Sequence, residues 1–466
     1  MLVVAGACAP AAVANPSLPG DHPDPSIVRT ADGWYATSTS DDWLPAFPVL
    51  HSRDLVHWRQ VGSVLPRRPR WARNDFWAPE LVHDDGRVLA YYAALARNGR
   101  RCIAGASAAR IAGPYRDHGP IVCSRTGEID PLPVADEQGA RWLVWKRDGN
   151  SRGRSTPILA APLAPGGMSL AGAPLELFRD DAAWERHNVE APALLRHGGF
   201  LYLLYSAGHC CGRNCTYATG VARATTLLGP WEKRRRPILR GGGGIRCPGH
   251  PGATRAPDGT PLLAYHAYVR GDPSNRQLFV SPLHFDVKGW PVVGAPLDLH
   301  AARAPVNAWQ WPAGPRPAFS ATSGRLVLGR GTVARQTGTT RFTAHTSLAV
   351  ADRRARPGLA VSGSEGNAVG VELRGARAVS WRSVEGRRRI VGRLRLPPGR
   401  PVAGGERIRL LVSVGRSVRP AIRFRGRWRS VGPPQPVPRW ASGARVALSV
   451  RARDHRVAFE PLVLRR

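Results

Sequence analysis

The sequence predicts an all-β chain, a five-bladed β-propeller followed by a β-sandwich, and three observations carry that expectation. Gly (51) and Pro (43) are abundant while long amphipathic runs are missing, the balance of a turn-rich β protein. A turn followed by an apolar, aromatic-rich strand recurs near Gly33, Gly86, Gly139, Gly199 and Gly259. Five units of that length, each with room for several short strands, fit propeller blades better than an irregular array of sandwiches. Further on the pattern turns to alternation, as in Ala368-Val369-Gly370-Val371-Glu372-Leu373 and Ile408-Arg409-Leu410-Leu411-Val412-Ser413-Val414, which predicts the antiparallel strands of a sandwich.

Taken in order, residues 1–14 are small and apolar and end in Ala12-Val13-Ala14, which predicts an export segment cleaved after it and a secreted or periplasmic protein. Ala5-Gly6-Ala7-Cys8 offers a second reading, a lipid anchor at Cys8. No other stretch reads as a transmembrane segment. The five repeats occupy residues 20–295. Several are followed by a second echo, Leu55-Val56-His57-Trp58, Ile111-Ala112-Gly113-Pro114-Tyr115 and Leu228-Gly229-Pro230-Trp231, expected to be an outer-strand turn carrying an aromatic. Residues 296–318 are rich in Pro and Ala and read as a linker. The sandwich is expected over residues 319–466.

The formal net charge of +34 would ordinarily suggest a nucleic acid or a membrane surface as partner. Lys occurs only at positions 146, 233 and 288, however, and the excess is Arg scattered through both halves. There is no basic helical cluster, RNA-binding signature or zinc-finger spacing, so nucleic acid is not the expected partner. Once the leader is removed, Cys102, Cys123, Cys210, Cys211, Cys215 and Cys247 remain, an even set that suits disulfides in an exported chain. Cys102 with Cys123 is the pairing expected, since both flank one hairpin pair. The alternative for Cys210, Cys211, Cys215 and Cys247 is a metal site.

Three acids stand at equivalent places in the repeats: Asp24 in HPDPSIV, Asp130 in EIDPLP and Glu190 in NVEAPALL. The centre of a propeller receives an inner strand from every blade, so these carboxyls are expected to converge there from blades one, three and four. Glycosidic hydrolysis needs two carboxyl groups on opposite faces of the bond, and a third can tune the acid. Trp77, Trp145, His250 and Arg276 are the candidate sugar-binding residues, the aromatic faces for C–H surfaces and the Arg and His for hydroxyls. A carbohydrate is therefore the expected ligand, and a propeller that binds sugar without cleaving it is the competing class.

At these residues the chain resembles glycoside hydrolase family 43, through Asp24, the WAPE segment Trp77 to Glu80, Asp130, Glu190, His250 and the closing SPLHFDVKGWPVV. Residues 319–466 resemble the concanavalin-like sandwich of β-xylosidases in that family. The resemblance implies a five-bladed propeller and an inverting attack on arabinofuranosyl or xylosyl residues, with endo-arabinanase or galactan-directed action as the alternatives. It implies that Asp24 is the general base, Glu190 the general acid, and Asp130 the group that raises the pKa of Glu190. No cofactor is required on this reading. In some arabinan-cleaving relatives the His matching His250 helps hold a calcium ion, so a structural calcium near His250 is a further expectation. The segment Gly208 to Cys215 departs from the family pattern and is expected to wall the pocket.

Overall fold

The computed structural model describes residues 16–465 except 151–152, 213, 271, 298–308, 323–324, 340, 364–365, 397–406 and 439–442; the expected export segment and Cys8 lie outside the described residues. Five four-stranded antiparallel sheets follow one another along the first part of the chain. Their innermost strands are Ser26–Thr30, Ala72–Asp84, Glu128–Ala135, Val189–His197 and Ile245–Arg255. Each of these touches the next, and the fifth touches the first, so the five sheets close into a ring. Leu18, ahead of blade one, adds to this closure by exchanging backbone hydrogen bonds with Leu278 on the third strand of blade five. The architecture is the expected five-bladed propeller.

The repeated glycines stand at the turns between the first and second strands of the blades. At Gly86, Gly139, Gly199 and Gly259 the backbone φ lies between +77° and +88° and a Cβ would meet open space, so the left-handed conformation rather than crowding requires glycine there. The second echo also falls as expected: Trp58 and Tyr115 directly precede the outermost strands Arg59–Leu65 and Arg116–Cys123, and Trp231 precedes Glu232–Lys233.

One local feature repeats at the axis of all five blades. Asp24-Pro25, Ala78-Pro79, Asp130-Pro131, Ala191-Pro192 and His250-Pro251 each pair a residue of positive φ (+46° to +56°) with a proline. In blades two to five the strand register skips over this pair. Proline has no N–H for the ladder, and a bulge at that point turns the strand and re-aims its side chains. The freed N–H of the bulge is taken by a side chain of the preceding blade. Ala78 donates to Thr39 Oγ1 at 2.7 Å, Ala191 to Asp130 Oδ2 at 2.9 Å, His250 to Ser206 Oγ at 2.7 Å and Asp24 to His266 Nδ1 at 3.0 Å. Sequence therefore fixes at one level both the bend of each inner strand and its seam to its neighbour.

The second part is a sandwich. A six-stranded sheet runs in the order Gly331–Gln336, Arg445–Val450, Pro357–Ser362, Ala368–Arg374, Arg377–Val384 and Arg387–Arg395, and packs on a five-stranded sheet. The core between them is aliphatic, with Val333, Leu359, Val371, Leu410, Ile422 and Leu448 among its buried members. The segment read as a linker is tied to both parts where it is described. Trp311–Pro312 pairs with Trp43–Leu44 of the propeller, and Gln310 bridges Ala334 of the sandwich. Buried Asp21 completes the junction, accepting the N–H of Arg276 at 3.1 Å and of Gly443 at 2.5 Å.

Candidate active site

The bulges deliver Asp24, Asp130 and Glu190 to the axis. Buried Tyr217 senses all three carboxyls and hydrogen-bonds Glu190. Asp24 and Glu190 keep 15% and 11% of their side-chain surface exposed, whereas the groups behind them, His266 and Lys146, keep 0% and 1%. The two acids are thus reachable from solvent and backed by a dry layer.

Asp24 is built to stay ionised. Burial pushes its carboxyl up, but the Arg276 guanidinium, helped by the hydrogen bond from Thr39, outweighs that and holds it well below the usual range. Arg276 Nη1 lies 3.2 Å from Oδ1, the Nδ1 atoms of His250 and His266 lie 3.4 Å from it, and Thr39 donates to Oδ2 at 2.6 Å. His266 takes the Asp24 N–H at Nδ1, and burial holds its pKa far below the ordinary value, so it is the neutral tautomer with its proton on Nε2.

The other two carboxyls form a buried pair that shares its charge unequally. Burial pushes Asp130 well up, and the negative charge of Glu190 adds to it. Burial also pushes Glu190 up, but Lys146 outweighs it, with Nζ at 2.6 Å from Oε2, and Tyr217 and Asn188 add hydrogen bonds. The direction at Glu190 is thus set by Lys146 and lies below the ordinary carboxylate value. Asp130 is pushed toward its protonated form and Glu190 toward its anion, because the Lys146 ammonium sits against Glu190.

The expected sugar-binding residues divide. His250 and Arg276 reach the axis through Asp24. Trp77 is half-buried beside the blade-two bulge, with its indole N–H on Asp41 at 2.9 Å and the Arg101 guanidinium 4.2 Å from its ring centroid. Trp145 is a correction. It is fully buried, donates to Glu128 Oε2 at 2.7 Å, and packs with Tyr91, Ile103 and Leu159 between blades two and three. Adjacent strand residues point to opposite faces, so when Trp145 fills the seam toward blade two, Lys146 faces Glu190 of blade four. The signal that could have found Lys146 is its rarity, one of three lysines in the chain, on the strand paired to the one carrying Asp130.

Cys102 and Cys123 form the expected disulfide, and Cys210–Cys211 and Cys215–Cys247 are the other two bonds. The metal reading of these cysteines gives way to disulfides. Cys210 and Cys215 pack against Tyr217, Cys247 and Tyr268, and Gly212 donates its N–H to the Tyr268 hydroxyl, which places the insert one residue layer from Glu190. His250 turns Nδ1 to Asp24, and the described residues around it gather no three His, Cys, Asp or Glu side chains as direct ligands, so a calcium ion there would take most of its six to eight oxygens from water.

Glu80, from the WAPE segment, has no cationic partner among the described residues, and burial pushes its carboxyl up to about 8 against a hydrogen bond from Ser26. A raised carboxyl pKa means the folded state binds the proton more tightly, so stability falls as pH rises from the unfolded value through about 8. Glu80→Gln is expected to melt several degrees higher than the parent above about pH 8 and to coincide with it near pH 4. Thermal melts across that range check it.

Comparison with known proteins gives a consistent picture. The family model described as glycosyl hydrolases family 43 matches residues 13–291. An extracellular exo-α-(1→5)-L-arabinofuranosidase of Cellvibrio japonicus is 28% identical over 303 residues, 59% of this chain and 86% of that one. A xylosidase/arabinosidase of Humicola insolens is 27% identical over 64% of this chain and 59% of its own length. Among solved structures, a xylan β-1,4-xylosidase of Bacillus halodurans superposes with a TM-score of 0.79 at 21% identity, covering 97% of this chain and all of the other. That last likeness extends over both the propeller and the sandwich.

Proposed function

We propose, from the premise that the chain belongs to glycosyl hydrolase family 43, that it is an exported, inverting glycosidase that removes α-L-arabinofuranosyl or β-D-xylosyl residues from the ends of plant polysaccharide chains. The catalytic unit on this reading is residues 20–295, with 319–466 an appended sandwich. The observation that carries it is the opposite electrostatic setting of the solvent-reaching carboxyls. Asp24 is held toward its anion by Arg276 at 3.2 Å, while burial pushes Asp130, the partner of Glu190, toward its protonated form.

Asp24 takes a proton from the attacking water, and Glu190 gives one to the departing glycosidic oxygen. The proton of the pair must reach Glu190 before that step. Lys146 has alternative partners in Asp148 Oδ1 and Asn150 Oδ1, both at 3.4 Å, so loading Glu190 leaves the ammonium partnered. Arg276 and His250 hold Asp24 and meet sugar hydroxyls, and Trp77 lines the rim. The insert braced by Cys215–Cys247 packs on Tyr217 beside Glu190, which supports a pocket walled on that side and action at chain ends.

The pH profile follows from these charges. Asp24 stays ionised on the acid side, and activity falls on the alkaline side as the pair loses its proton. Removing the ammonium raises the pair's affinity for that proton, so Lys146→Met is expected to move the alkaline limb of kcat/KM upward by about 1–3 pH units, while Lys146→Arg leaves it nearly in place. An unmoved limb in the Met variant contradicts the role given to Lys146. Substrate choice is tested with nitrophenyl arabinofuranoside, nitrophenyl xyloside and linear arabinan. Release of pentose from chain ends supports the reading, and internal cutting of arabinan with no aryl pentoside cleavage overturns it.

A further inference from the structure

The outer face of the six-stranded sheet, turned away from the sandwich core, has an unusual composition. Register places Ala334, Ala447, Ala360, Gly370 and Trp381 in one cross-strand row, and Thr332, Ser449, Gly358 and Glu372 in the next. Such small side chains leave a depression, and a Cβ on Gly370 would stand 2.8 Å from the Trp381 indole that leans across it. The propeller covers this depression with Asp42 and Trp43, leaving a cavity of about 110 Å³. That is several times the roughly 10–15 Å³ a single water requires, room for a small polar ligand.

The lining is mostly apolar, with a few polar groups set around it. Trp43 and Trp381 are 4% and 7% exposed, both border the cavity, and neither indole N–H meets an acceptor; buried indoles ordinarily find one. Thr332, Ser362 and Ser449 contribute hydroxyls, and Arg451 contributes a guanidinium. Asp42 is the acidic residue of the lining, and Arg445, seated over the Trp43 ring, offsets its charge.

Charge beside the cavity is strongly unbalanced. Glu372, in the same row as Ser449, is 1% exposed and pairs with four guanidiniums. Arg388 lies at 2.5 Å, Arg356 at 3.3 Å and Arg451 at 3.5 Å, with Arg374 closer still. One carboxylate faces four cations, and Arg451 joins that cluster to the cavity. The imbalance is greatest in this part of the chain, where thirty-one Arg stand against seven Asp and Glu over residues 319–466.

We propose that this junction cavity binds a sugar bearing a carboxylate, a uronic acid residue of a polysaccharide. Arg451, at the edge of the cluster around Glu372, meets the carboxylate, the free indole N–H groups and hydroxyls meet the ring oxygens, and the indoles wall its C–H surface. The site is separate from the axial carboxyls and touches them through one loop, since Asp41, which fixes Trp77, precedes Asp42. The choice of a sugar rests on the polysaccharide reading above; the anionic character rests on the arginine cluster alone.

The test is titration of the full-length protein with methyl glucuronoside and methyl galacturonoside by calorimetry, with methyl xyloside and acetate as controls. A uronoside is expected to bind, weakening as salt rises, about tenfold or more weaker in Arg451→Glu and several-fold weaker in Trp381→Phe, which keeps the ring and loses the N–H. Binding in Glu190→Gln is expected to equal the parent's. Thermal melts confirm that each variant is folded; Arg451 is 44% exposed and tolerates exchange. Equal binding of acetate, binding unaffected by both junction variants, binding lost in Glu190→Gln, or none at all overturns the proposal. Hydrolysis of aryl pentosides is measured separately, so failure of the glycosidase reading leaves this result intact.

Discussion

Glu190→Gln is expected to lower kcat about 10²- to 10⁴-fold on natural glycans, the usual contribution of a general acid, and much less on nitrophenyl glycosides. A nitrophenolate leaves without protonation, so a missing acid matters little to it, whereas a sugar alkoxide requires the proton. This dependence on leaving group separates loss of an acid from simple damage to the pocket. The substitution also removes the close partner of buried Lys146 at 2.6 Å, leaving Asp148 at 3.4 Å, and so a lower melting temperature should accompany the loss of rate. Kinetics on the two substrate types with a melt of each protein check both parts. Equal loss on natural and activated substrates contradicts the assignment.

Asp24→Asn is expected to give a loss of similar size that does not depend on the leaving group, because activation of water is needed whatever departs. The carboxylate also accepts from Arg276 at 3.2 Å and Thr39 at 2.6 Å. Asparagine presents one oxygen to that cage and no charge, so Arg276 remains buried against a neutral group, and destabilisation by a few kcal/mol follows. Steady-state kinetics on both substrate types distinguish it from Glu190→Gln: a flat response across leaving groups for Asp24, a steep one for Glu190.

Much of the architecture was legible because it is written in local signals. The left-handed glycine turns and the aromatics before outer strands marked the blades, and alternation marked the sandwich. The three acids were visible for the same reason, Asp24 and Asp130 directly before a proline and Glu190 two residues before one. The fuller signal, an X-Pro step at the axis of every blade, includes Ala78-Pro79 and His250-Pro251, and it explains why these side chains point inward: the bulge aims them and the neighbouring blade holds the bulge.

What escaped the sequence is relational. Trp145 and Lys146 are neighbours, and which of them faces the axis depends on which seam the strand's two faces fill. The exchange of charge between Asp130 and Glu190 depends in turn on that lysine. The Cys210–Cys211 and Cys215–Cys247 pairings and the junction cavity arise from segments far apart in sequence, as do the contacts of Asp21 with Arg276 and Gly443. No periodicity records them.

The central claim is that Asp24 activates water on the face of the sugar opposite to the one where Glu190 protonates the leaving oxygen. Proton NMR of an aryl pentoside during its hydrolysis tests this most directly, by the anomer that appears before mutarotation. The account predicts that the first pentose released has the inverted configuration. Release with retained configuration contradicts it, because retention needs a carboxylate that attacks the sugar itself.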